Sequence, residues 1–96
     1  MRAAPSALAL RLLRNPSARE LNLAFELPRP ADVLIRLFDM QGREIARRTE
    51  RIRTAGLQKI RWDVAGSRGA ELPSGVYPVQ VATSMGRGAA RWVVIR

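Results

Sequence analysis

Neither cysteine nor histidine occurs among the 96 residues, and lysine occurs once, at Lys59. Without cysteine, no disulfide can staple the fold and no thiolate can attack a substrate or hold a metal. A chain free of cysteine tolerates either redox environment, so cysteine usage points to no compartment. Without histidine, the side chain that most often moves protons near neutral pH is missing. Zinc sites of the Cys/His kind and Ser-His-Asp triads go with it. Aromatic residues make up only 5% of the chain. No stretch reaches the roughly 18 consecutive apolar residues of a membrane-spanning helix.

What the chain has is arginine. The net charge is +9; residues 1–50 carry nine Arg against six acids, and residues 51–96 carry eight Arg or Lys against two acids. Such a balance suits an anionic partner such as nucleic acid, lipopolysaccharide or a membrane surface. The simpler reading is a solvated, arginine-rich surface. The length predicts one domain, and the apolar fraction of 47% is that of a chain with a core. A signal peptide at the start would take Arg2 as its basic region and Ala3 to Leu10 as its apolar part. Arg11 interrupts it and no small-x-small cleavage site follows. Leu8, Leu10 and Leu12 alternate with small or charged residues, which predicts a strand with one exposed side.

Period two runs through the rest. In "ELNLAFEL", Leu21, Leu23, Phe25 and Leu27 share one face, with Glu20, Asn22 and Glu26 on the other. "LPRP" then stops pairing, because proline has no amide to donate. In "ADVLIRLFD", Val33, Ile35 and Leu37 share a face, opposite Arg36 and Phe38. Asp39-Met40-Gln41-Gly42 has hairpin chemistry: aspartate accepts amides further along the chain, and glycine supplies positive φ. The strand that leaves it, Arg43 to Thr49, leads into a run dense with Arg47, Arg48, Arg51 and Arg53, as an edge strand guarded against strangers would be. "AGLQKIRWD" puts Ile60 and Trp62 on one face, Lys59 and Arg61 on the other. Residues 64–75 read as a loop, "VYPVQVAT" as a strand, "SMGRG" as a turn and "AARWVVIR" as the last strand. These six or seven short strands predict an all-β fold, an antiparallel β-sandwich.

Candidate chemistry is sparse. Asp39 and Asp63 each follow an aromatic residue near a strand end, and two such loops could share a calcium ion. Each loop offers only one carboxylate, so both are read as turn-forming. Ser74 with Lys59 as its base has nothing to place the two together. Trp62 and Trp92 beside arginines could stack bases, but at strand period they read as core. No cofactor or metal and no catalytic residue is expected, and nucleic-acid binding is not.

From Asn15 the chain reads NP…LAFELP…VLIRLFDMQGREI…AGLQKIRWDVAGSRGAELPSGVYPVQV…ARWVVIR. This order resembles the type A C-terminal sorting domain of type IX secretion and the immunoglobulin-like domain of the flagellar hook-capping protein (FlgD) type. The resemblance covers residues 15–96, leaving 1–14 as a strand or linker. It implies an immunoglobulin-like β-sandwich of about seven strands, in which Asp39, Gly42, Trp62, Asp63, Gly75 and Tyr77 are turn and core architecture. Pro78 stands where an aromatic residue is usual, which is expected to place it at an edge or bulge.

The function implied is that of a non-enzymatic C-terminal module of an exported bacterial protein, serving secretion, sorting and surface attachment. Its last strand, Ala89 to Arg96, would be read by envelope secretion or anchoring machinery, with Arg91, Trp92, Val93, Val94, Ile95 and Arg96 at the centre of recognition. The alternative is a spacer or adhesion module that stabilises a neighbouring domain of the parent protein. A third is an anionic-polymer binder working through the arginine-rich strand at 43–53. No oligomeric state is indicated.

Overall fold

The computed structural model describes residues 6–96. Arg2 and the rest of the first five residues, on which part of the signal-peptide reading falls, lie outside the described residues. Among those described, no helix is long and apolar enough to cross a membrane.

The strands are β1 (Ser6–Ala7), β2 (Arg11–Leu13), β3 (Glu20–Leu27), β4 (Ala31–Phe38), β5 (Glu44–Ile52), β6 (Gly56–Asp63), β7 (Gly75–Thr83) and β8 (Gly86–Val94). They form a five-stranded sheet in the order β1-β8-β7-β4-β5 and a three-stranded sheet in the order β2-β3-β6. Seven strands are three residues or longer and pair antiparallel; the two-residue β1 pairs parallel with β8. This is the all-β sandwich that the alternating pattern predicts.

Alternation decides the core. Leu21, Leu23, Phe25 and Leu27 of β3 are buried together with Val33, Ile35 and Leu37 of β4. Trp62, Val79, Val81, Trp92 and Val94 join them in one cluster. Side chains on one face of a strand point the same way, so two such faces stacked together exclude water. Leu8, Leu10 and Leu12 pack against this cluster too. Their one-sided alternation holds although the segment is split, with residues 6–7 in one sheet and 11–13 in the other.

The β4–β5 connection closes around Asp39. Its carbonyl accepts the Gly42 amide at 3.0 Å, and its own amide donates to the Arg43 carbonyl at 2.9 Å. Gly42 has φ 85°, a left-handed value that costs a residue with a Cβ. A register shift at Leu37/Phe38 adds a bulge. β5 runs to Ile52, three residues beyond the predicted Thr49, and forms the free edge of its sheet.

Two local expectations are corrected. Residues 64–75 are not wholly a loop, because Val64–Arg68 forms a single helical turn, α1. Asp63 caps it by accepting the Gly66 amide at 3.0 Å, while Val64 and Ala65 are buried, so capping and burial together hold one turn. Gly75 is not in the turn; it is the exposed first residue of β7, opposite Val94.

Pro78 sits where its missing amide is not needed. β4 pairs with β7 only from Leu34↔Ala82 to Leu37↔Val79, so Pro78 lies one residue past that ladder. Counting alternate pairs from Thr83↔Gly86 places Pro78↔Arg91 among the non-hydrogen-bonded ones.

Candidate functional site

The last strand is built into the body on both sides. Along one edge β8 pairs with β7 from Gly86 to Val94. Along the other, the N-terminal segment covers both ends. Leu8 donates its amide to the Arg87 carbonyl at 2.9 Å, Ser17 donates to Val93 at 3.1 Å, and Ile95 donates to Ser17 at 3.0 Å. Between these, the Asn15 carboxamide imitates a strand: its Nδ2 donates to the Arg91 carbonyl at 2.9 Å and its Oδ1 accepts the Val93 amide at 2.8 Å.

Side chains of the strand divide by face. Trp92 and Val94 are buried, whereas Arg91 and Ile95 are exposed and Val93 is half-buried. Trp92 Nε1 donates to Ser17 Oγ at 2.8 Å, and Ser17 Oγ donates to the Glu20 carbonyl at 2.8 Å. The indole lies 6.3 Å from the Tyr77 ring at a tilt of 52°. Tyr77 in turn donates its hydroxyl to the Pro73 carbonyl at 2.6 Å, holding the loop before β7. Arg96 is tethered three ways: its amide to Ser74 Oγ, its guanidinium to the Leu72 carbonyl, and its Nη2 to Glu71.

The two aspartates of the turns are occupied locally. Asp39 accepts the amides of Gln41 and Arg43, both at 2.9 Å, and the Arg43 guanidinium at 2.7 Å. The Arg43 amide above all, with its guanidinium, holds the Asp39 carboxyl below the usual carboxylate range. Asp63 takes Arg19 on both oxygens, at 3.1 and 3.0 Å, besides the Gly66 amide. Arg19 foremost, then that amide, lowers its pKa as well. Each carboxylate is satisfied inside its own corner, which leaves little for a shared cation. Among the described residues no group of three or more His, Cys, Asp or Glu converges as metal ligands do.

The arginine-rich strand is mostly neutralised. Arg47 and Arg36 both grip Glu44, Arg51 faces Asp32 at 3.5 Å, and Arg48 meets Glu50 at 2.5 Å. Arg48 and Glu50 stand opposite Ile35 and Val33, so they sit on the inner side at the sheet's edge, each about one-third exposed. Arg48 also donates to the Arg61 carbonyl of β6 at 3.1 Å, tying the free edges of the two sheets together. That arrangement is poor for gathering phosphates. Base stacking fares no better, since Trp62 and Trp92 are 3% and 1% exposed.

A family model for the FlgD Ig-like domain matches residues 14–87. The chain belongs to the FlgD Ig-like domain family. The match opens one residue before Asn15 and ends inside β8, so it takes in the Asp39 and Asp63 corners of this FlgD Ig-like domain. Residues 88–96 fall outside it. No curated protein matches the chain.

Several residues that shape this region carry no local sequence signal. Ser17, Arg19 and Gly88 act on partners many positions away, and only the Asn-Pro opening draws attention to Asn15. Ser74, imagined as a nucleophile with Lys59, instead accepts the Arg96 amide.

A pH response follows from the paired carboxylates. Arg47 and Arg36 hold Glu44 down to about 2 from an ordinary 4.5, and Asp39 and Asp63 shift the same way. The unfolded chain therefore binds protons more readily than the folded one, and stability must fall as pH drops from about 4.5 towards about 2. Thermal melts should be flat from about pH 7 to about pH 5 and decline below. Replacing Glu44 by Gln should shallow that decline; an unchanged acid limb in that variant would contradict the assignment.

Proposed function

We propose that this domain is a non-catalytic accessory module of an exported bacterial protein, a rigid spacer that stabilises and positions a neighbouring domain. The occupied edges of β8 carry this reading. Strand addition to the last strand would require residues 6–8 and 15–17 to leave first, with their backbone ladder and the Asn15 bridge. A module whose final strand is locked on both sides transmits position well.

A sorting and surface-attachment role is the second reading. It is favoured by the outward side chains of Arg91 and Val93 in the same strand and of Ile95 just after it, the last 56% exposed. Envelope secretion or anchoring machinery would then read a folded face rather than a detached strand.

One experiment separates them. The chain is fused behind a reporter in a bacterium with an envelope export system that reads such modules, as wild type and as the Arg91→Glu/Ile95→Ser variant. Both changes are on exposed positions, and folding is checked by thermal melting. The accessory reading expects unchanged export and a reporter more resistant to protease with the module than without it. Loss of export by a folded variant would replace it with the sorting reading.

A further inference from the structure

The three-stranded sheet has an outer face with an unusual floor. Along β3 the residues pointing away from the core are Asn22, Ala24 and Glu26, yet Ala24 is 1% exposed and Asn22 8%. The register explains this. Ala24 lies between Arg11 of β2 and Lys59 of β6, and Asn22 lies between Leu13 and Arg61. Long side chains on both flanks stand over short ones in the middle, and their stems cover them. The flanking stems close over Ala24, and a depression remains beside Asn22.

Two observations point to a ligand. Asn22 Nδ2 is buried with no hydrogen-bond partner among the described residues. Buried polar groups are normally satisfied, so an orphan donor facing a depression calls for an acceptor from outside. It lines a depression of about 210 Å³ together with Leu13, Arg14, Lys59 and Arg61. The second observation is charge. Among the described residues, every side-chain carboxylate except Glu26 is in an ion pair with an arginine. Arg11, Arg14 and Lys59 are in none of those pairs; Arg14 and Lys59 line the depression, and Arg11 stands two residues along β2 from Leu13, beside Ala24.

We propose that the outer face of the three-stranded sheet binds an extended acidic segment of a partner protein, one of whose carboxylates accepts the Asn22 Nδ2 hydrogen. Lys59 and Arg61 are two residues apart on one strand, about 7 Å along it, which is the spacing of carboxylates at alternate positions of an extended peptide. Arg11 and Arg14 serve the opposite side, and Leu13 gives the methylenes of a glutamate an apolar surface. Glu20 already holds Arg61 at 3.0 Å. A singly charged carboxylate is therefore better matched here than a dianionic phosphate, which would meet Glu20 at close range. This inference stands apart from the accessory reading and survives its failure.

The test is a titration of the ¹⁵N-labelled full chain with a synthetic peptide of alternating Glu and Thr, followed by NMR. A saturable shift of the Asn22 side-chain amide signals is expected, with no comparable shift from the same peptide carrying Gln for Glu. Asn22→Ala and, separately, Lys59→Glu should each weaken binding by about tenfold. Lys59 is exposed, so that variant tests the site even if position 22 does not tolerate alanine. An unmoved Asn22 signal, equal binding of the Gln peptide or unchanged affinity of Lys59→Glu overturns the proposal. So does displacement of the peptide by an equal concentration of duplex DNA, which would mark the face as a general polyanion surface.

Discussion

Gly88→Ala is expected to lower stability by about 1–3 kcal/mol and to loosen the N-terminal segment from β8. Gly88 lies on the inner side of β8, opposite Val81, where residues 8–10 cross from one sheet to the other. A Cβ at this position would lie 2.4 Å from the Leu8 carbonyl oxygen and 3.1 Å from Leu10 Cβ. The nearest obstacle is backbone and cannot rotate aside as a flexible side chain would. Either β8 bends away from its ladder or residues 8–10 lift off the core. The second is cheaper, since β1 contributes only two pairs, Ser6↔Gly86 and Ala7↔Arg87. Hydrogen exchange should therefore show the Leu8 amide, bonded to Arg87 in the wild type, losing protection ahead of the β7–β8 amides. A melting temperature equal to wild type, with Leu8 still protected, would mean that the crossing does not press on Gly88.

The larger loss is expected at Trp92. Trp92→Ala removes a side chain that is 1% exposed, and such truncations cost about 3–5 kcal/mol through lost burial and the cavity left behind. Three connections go with the ring: the contact with Tyr77, the Nε1 hydrogen bond to Ser17, and through Ser17 the tie to the Glu20 carbonyl. Domains of this size hold only about 5–15 kcal/mol in total, so the variant should sit close to unfolding at ambient temperature. Urea titration followed by Trp62 fluorescence measures the loss directly. Trp92→Phe should cost less, because it keeps much of the ring packing and drops only the indole donor. A Trp92→Ala loss below about 1 kcal/mol would show that the site collapses around the gap, and the indole would not then be the anchor of the last strand.

The parts of this fold that could be read from the chain are those that residues settle with their near neighbours. Val33, Ile35 and Leu37 point inward because side chains alternate along any strand, and the same holds for Leu21, Leu23, Phe25 and Leu27. Asp39 reaches Gln41 and Arg43, two and four positions on, so its hydrogen bonds involve no distant element. The inward turn of Arg48 could not be read, since alternation says that Arg47 and Arg48 face opposite ways but not which of them meets the core. That choice came from the pairing of Arg48 with Ile35. "SMGRG" reads as a turn throughout, yet Gly86 and Gly88 are strand residues. Glycine is demanded at 88 by a segment that lies some eighty positions earlier, and no window along the chain contains both. Asn22 likewise belongs to the polar face of its strand, but it is buried there by arms from two other strands.

Composition alone excluded Cys- and His-based chemistry, and the order of residues settled the alternation of the apolar strands and most bends, because alternation, proline and glycine act over a few bonds. Three-dimensional packing decided which edges stay open, what covers the last strand, and that the Asn22 amide lies among the cations of the outer face. Each of these depends on residues brought together across most of the chain's length, and a period of two carries no information about which distant strand will lie alongside.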